Sequence, residues 1–150
     1  MPLPERAVFL FLLFPSFSLA EPASWRGTWT ATGPGITLSG SWTARQHQEP
    51  NAGWGTWTLL DASGNTLASG SWSARKADKA WEGNWQARMA SGQLHSGSWM
   101  ARARIDASSR FTDLLESALT EIIRGTWKMG RQSGAWAIRA YPRRSDPTAP

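Results

Sequence analysis

The sequence predicts an all-β protein: an eight-stranded antiparallel up-and-down barrel with one amphipathic helix between strands six and seven. Three observations predict it. The motif Gly-x-Trp recurs eight times. Around every copy the residues alternate between apolar and polar. One pairing rule then leaves a short, glycine-containing turn in each of four hairpins.

The copies are Gly27-Thr28-Trp29, Gly40-Ser41-Trp42, Gly55-Thr56-Trp57, Gly70-Ser71-Trp72, Gly83-Asn84-Trp85, Gly97-Ser98-Trp99, Gly125-Thr126-Trp127 and Gly134-Ala135-Trp136. In strand one, Trp25, Gly27, Trp29 and Ala31 share a face, and Arg26, Thr28 and Thr30 share the other. In strand two, Leu38, Gly40, Trp42 and Ala44 oppose Ser39, Ser41, Thr43 and Arg45. Period-two alternation gives a strand with one dry and one wet face.

Facing residues of a hairpin must lie on the same face, so spacing sets register. Trp29 opposite Gly40 leaves the turn Pro34-Gly35. Trp57 opposite Gly70 leaves Ser63-Gly64, and Trp85 opposite Gly97 leaves Ala90-Ser91-Gly92. Trp127 opposite Gly134 leaves Gly130-Arg131. The steric reason is that an indole lies across the strand and covers the bare backbone of the facing glycine.

One stretch breaks this pattern. Phe111, Leu114, Leu115, Ala118, Leu119, Ile122 and Ile123 recur at helical spacing, predicting a helix near 109–122 that plugs one barrel end. Asp106, Ser108 and Ser109 are candidate N-caps, and Asp113 suits the first turn. The meander closes most simply into a barrel. A two-sheet sandwich is the alternative. A membrane barrel fits less well, because one Trp, one Gly and one Ala per strand make a thin lipid-facing band.

Residues 1–20 read as a secretory signal peptide: Met1 to Arg6, the apolar run Ala7 to Phe14, and small residues at Ser18 and Ala20 before the cut. Residues 21–141 then form a single Trp-rich domain, and 142–150 a disordered tail. The expected location is periplasmic or secreted, with no membrane span after cleavage. The chain has no cysteine, so an exported fold here does without disulfides.

Two inward rows flank the indoles. Ala31, Ala44, Leu59, Ala74, Ala87, Ala101, Met129 and Ile138 stand two after each Trp. Trp25, Leu38, Gly53, Ala68, Trp81, His95, Ile123 and Gln132 stand four before. An eight-stranded barrel is filled by its side chains or holds one small ligand. A cup at the hairpin end, lined by Leu38, Leu59, Ala68, His95, Met129 and Gln132, would take a small apolar or aromatic ligand. His95 and Gln132 are the polar members of these rows and would orient it.

An exported, cysteine-free, eight-stranded meander whose first strand reads Trp25-Arg26-Gly27-Thr28-Trp29-Thr30 resembles the avidin–streptavidin and lipocalin group of calycin barrels. The resemblance implies a small-ligand site inside the barrel. It covers architecture over residues 24–140, carries no binding residue across, and departs from avidins at the helix between strands six and seven.

Enzymatic chemistry finds no constellation. The two histidines, His47 and His95, stand apart, and most serines fill the outward slot of Gly-Ser-Trp. No catalytic residue, metal site or cofactor is expected.

The net charge is +5, with arginine dominant. Arg45, Arg75, Arg88, Arg102 and Arg139 each stand three after a Trp; the four on even strands share one rim, and Arg26 and Arg124 project near it. Lys76, Lys79 and Arg104 lie in its loops, with Glu49, Asp78, Glu82 and Asp106 in the same region. An outer band of Arg26, Arg45, Arg75, Arg102 and Arg139 would bind an anionic envelope polymer. Inward indoles argue against nucleic acid, which needs aromatic platforms among the cations.

Overall fold

Indole, glycine and carbonyl oxygen repeat in one arrangement around the whole wall of this protein. The computed structural model describes residues 24–46, 48–103 and 105–142. The expected signal segment 1–20, His47, Arg104 and residues 143–150 of the expected tail lie outside the described residues. The order is β1 (Ser24–Gly33), β2 (Ile36–Gln46), β3 (Ala52–Leu60), β4 (Thr66–Lys76), β5 (Trp81–Met89), β6 (Leu94–Arg102), α1 (Phe111–Thr120), β7 (Ile123–Met129) and β8 (Gln132–Ala140). Every strand pairs antiparallel with the next, and β8 pairs with β1 to close the barrel.

All four hairpin registers follow the glycine–tryptophan rule: Trp29 faces Gly40, Trp57 faces Gly70, Trp85 faces Gly97 and Trp127 faces Gly134. One turn differs from expectation. The ladder of β3 and β4 shifts after Leu59, so Leu60 pairs with Thr66 and Leu67 is the extra residue. Five residues, 61–65, therefore lie between the strands, and Asp61 N–H donates to Asn65 O at 2.9 Å, leaving three at the tip. Asp61 causes this: its Oδ1 accepts the backbone N–H of Ser63 at 2.9 Å and of Asn65 at 2.8 Å. Gly64 takes the left-handed position at φ +83°, and the bulge absorbs the odd residue.

A Cβ on Gly40 would collide with the Thr58 carbonyl oxygen and stand 2.9 Å from Trp29 Nε1. The other seven motif glycines are pinched in the same way. Each has the hairpin partner's indole on one side and a carbonyl of its other neighbour strand against it, such as Thr43 at Gly55 and Ser73 at Gly83. Glycine thus lets three strands approach closely. The indole N–H groups use the oxygens exposed there. Trp29 donates to Thr58 O at 3.0 Å, Trp99 to Ser73 O at 3.0 Å and Trp127 to Thr32 O at 3.0 Å. Trp42, Trp85 and Trp136 donate instead to the middle residue of the facing motif, Thr28, Ser98 and Thr126. Each such bond contributes about 0.5–1.5 kcal/mol.

Between hairpins, like meets like: Trp42 faces Trp57, Trp72 faces Trp85 and Trp99 faces Trp127. The closing seam is offset, with Trp29 facing Ile138 and Trp136 facing Ala31. The strands are also staggered. The paired row Ala74, Gly83, Trp99, Trp127, Gly134 climbs from beneath the helix to the last turn. Closure of an eight-stranded sheet requires such tilt.

The helix plugs the end opposite the hairpin turns. Phe111, Leu114, Leu115 and Ala118 are buried in one cluster with Trp42, Ala44, Ala74, Trp81, Ala101, Ile123 and Ala140. Phe111 lies over the bare backbone of Gly53 and packs at an angle on Trp81 and Trp72, centroids 5.5 and 5.9 Å away. Full burial of each large side chain contributes about 1.5–3 kcal/mol. The helix start is tied to the barrel rim: Phe111 N–H donates to Pro50 O at 2.9 Å, and Lys76 Nζ to Ser109 O at 2.8 Å.

Two details correct the sequence reading. The N-cap is Arg110, whose backbone N–H is taken by Asp113 Oδ2 at 2.7 Å. Asp106, Ser108 and Ser109 instead form a separate turn, in which Asp106 Oδ1 accepts from Ser108 N–H at 2.8 Å and Ser108 Oγ at 2.6 Å. The apolar stripe also stops short. Leu119, in the last turn of the helix, and Ile122, in the linker to β7, are exposed.

Candidate functional site

The hairpin-end residues occupy the expected end, but in unequal settings. Leu59 and Ala68 face each other and are 8% and 3% exposed, which makes them core. Leu38 faces Ala31, and His95 faces Ala87; both Leu38 and His95 are half-buried. Met129 faces Gln132 beside the last turn, where Gln132 is exposed. The β6–β7 ladder ends at Ser98–Lys128, so His95 and Gln132 flank the place where those strands part. Below them Trp29 and Trp57 stack edge to face at 5.8 Å and 90°. The indole Nε1 of Trp57 is buried without a hydrogen-bond partner. Two shallow concavities, one bordered by Asn84, Gln86 and Lys128 and one by Arg26, Thr43 and Arg45, lie on the outer surface.

The arginines separate into two groups. Arg75 is committed to Glu82 across the β4–β5 ladder, with Nη2 to Oε1 at 2.9 Å. The Arg75 side chain is 76% exposed, so this pair adds at most about 1 kcal/mol. Arg45 lays its guanidinium over the Trp54 ring, 5.5 Å from the centroid. Trp54 faces outward and is exposed.

Four further arginines form a ribbon. Arg102 and Arg124 stand directly opposite each other on β6 and β7. Arg124 faces Ala137, which makes Arg139 its diagonal neighbour on β8. Arg139 faces Thr28, which makes Arg26 the next diagonal neighbour on β1. Arg26, Arg102, Arg124 and Arg139 are all exposed. The outward rows of these four strands hold Ser, Thr, Ala, Leu, Met, Arg and Lys, and no acid. Arg75 and Arg45 are therefore outside this ribbon, and Arg124 is the link that completes it.

The nearest acid by register is Glu82, which faces Met100 on β6 and so stands diagonal to Arg102, and it is bonded to Arg75. Asp106 is held below its ordinary carboxylate pKa first by the Ser108 hydroxyl and backbone N–H, and further by Ser109. Among the described residues Arg75–Glu82 is the one ion pair, and no three His, Asp or Glu gather where a metal ion could sit.

The outer surface of β2 and β3 is a hydroxyl ladder, with Ser41 Oγ to Thr58 Oγ1 and Thr43 Oγ1 to Thr56 Oγ1 both at 2.7 Å. This is the face that would meet lipid in a membrane barrel. No helix of the described residues is long and apolar enough to cross a membrane.

No family model, curated protein or solved structure matches the chain.

Proposed function

We propose that the protein is an exported, non-enzymatic barrel that holds an anionic envelope polymer on its outer arginine ribbon. The Arg102–Arg124 pair carries the reading. Like charges directly opposite on adjacent strands are destabilising by a few tenths of a kcal/mol to about 1 kcal/mol. A bound anion bridging the two guanidinium groups reverses that cost, and planar guanidinium forks suit carboxylate and phosphate. Arg139 and Arg26 extend the contact diagonally over four strands. Export is supported by the apolar run Ala7 to Phe14 followed by Ser18-Leu19-Ala20.

The test is retention of the mature chain on immobilised heparin or lipopolysaccharide over a salt gradient. Exposed charges are screened within about 8–10 Å near physiological ionic strength, so elution should come early in the gradient. Replacing Arg102, Arg124 and Arg139 with Gln should move elution to clearly lower salt. Unchanged elution would leave only general basicity and end the ribbon reading.

A second reading places a small apolar or aromatic ligand at the hairpin end. The buried Trp57 Nε1, a polar atom without a hydrogen-bond partner inside the barrel, favours it. Tryptophan fluorescence titrated with a panel of hydrophobic ligands tests it, with His95→Ala expected to change the response. No response across the panel removes this reading.

A further inference from the structure

Where β6 and β7 part, the outer wall opens into a concavity of ≈ 570 Å³. The ladder between these strands stops at Ser98–Lys128, and the turn at Gly130 carries the chain away. The β6 segment from Leu94 to Ser96 continues paired to β5 on one side only, while Gly97 still lies against the Lys128 carbonyl. The opening is bordered by a small polar plate. Asn84 faces Ser98 and Gln86 faces Ser96 across β5 and β6, and Lys128 stands beside Ser98 on β7. Trp85 also lines the opening, against the bare backbone of Gly97.

We propose that this opening is a subsite for one acidic sugar unit, so that the polymer of the arginine ribbon is an acidic polysaccharide. The proposal rests on the ribbon reading and deepens it. Lys128 continues the outward row of Arg124 and Thr126 on β7, so the ribbon leads directly into the opening. The chemistry of the plate selects the ligand. Carboxamides and serine hydroxyls both donate and accept hydrogen bonds. Sugar hydroxyls also do both, and they match such groups in either sense. Phosphate oxygens only accept, so a phosphate chain leaves the Asn84 and Gln86 carbonyl oxygens without a donor. One ammonium, Lys128, meets one carboxylate per unit. Nucleic acid fits poorly, because Trp85 is half-buried rather than displayed for base stacking.

The test uses the mature chain and three probes in calorimetric titrations: oligogalacturonate, a neutral maltooligosaccharide of equal length, and inorganic polyphosphate of equal charge. Asn84 and Gln86 are exposed on the outer face, so Asn84→Ala with Gln86→Ala leaves the core intact. That double variant should weaken oligogalacturonate about tenfold, the loss of one or two hydrogen bonds. Polyphosphate affinity should not change. Arg102→Gln with Arg124→Gln should weaken both anions, and the neutral oligosaccharide should bind far more weakly than oligogalacturonate. An unchanged oligogalacturonate affinity in the Asn84/Gln86 variant, or an equal loss for polyphosphate, overturns the subsite while the ribbon stands. Absence of binding by both anions to the wild type overturns the ribbon and the subsite together.

Discussion

The indole N–H of Trp29 reaches the carbonyl oxygen of Thr58, 3.0 Å away and two strands over, across the bare backbone of Gly40. One glycine thereby joins β1, β2 and β3. The same three-strand clasp recurs at Trp72, Trp99 and Trp127.

Gly40→Val should unfold the protein or cost about 3 kcal/mol or more, the upper range for overpacking. The added side chain meets both Trp29 and the Thr58 oxygen. Urea denaturation checks it. A variant as stable as wild type would refute the clasp.

Trp29→Phe keeps a ring over Gly40 but removes two donations, to Ser41 O and Thr58 O. A loss of about 1–2 kcal/mol is expected, more than the same change at Trp57, whose Nε1 has no partner. Equal losses at the two sites would show that ring packing alone matters.

Leu115→Asp places a charge in the helix–barrel cluster, where Leu115 is 2% exposed. The expected loss is about 3–5 kcal/mol by thermal or chemical denaturation. Wild-type melting would mean that the helix does not plug the barrel.

Stability should fall in acid partly through Asp61. The backbone N–H of Asn65, above all, holds its carboxyl below the ordinary value of 3.8, with Ser63 and Gly64 adding to this. A depressed folded-state pKa gives stability that is present above 3.8 and lost as pH falls through the lower folded value. Asp61→Asn should therefore flatten the acid limb of a melting-temperature profile between about pH 5 and 2. A limb of unchanged slope would remove Asp61 as its source.

Within hairpins the register was legible, because a Trp and the Gly it covers must share a face, and that condition has one short-turn solution each time. The second turn escaped because Asp61 makes side-chain bonds to its own loop, which alternation does not encode. The seams between hairpins were not legible either. Their offset follows from the stagger that closes the ring, a property of all eight strands together. The Arg102–Arg124 opposition depends on one such seam, so the sequence could name the arginines but not their order. The opening beside Trp85 left no sequence signal, since Asn84 and Gln86 occupy ordinary outward slots.

The closing seam has a kinetic consequence. Trp127 donates to Thr32, 95 residues away in sequence, and Tyr141 N–H donates to Arg26 O at the same seam. The four hairpins are local and can form early, whereas the β1–β8 contacts carry the largest loop-closure cost. The eight motifs are nearly interchangeable, so an open sheet can zip out of register by one glycine–tryptophan step. Refolding should therefore show a slow final phase, in which amides of β1 and β8 gain hydrogen-exchange protection after those of the β3–β4 and β5–β6 hairpins.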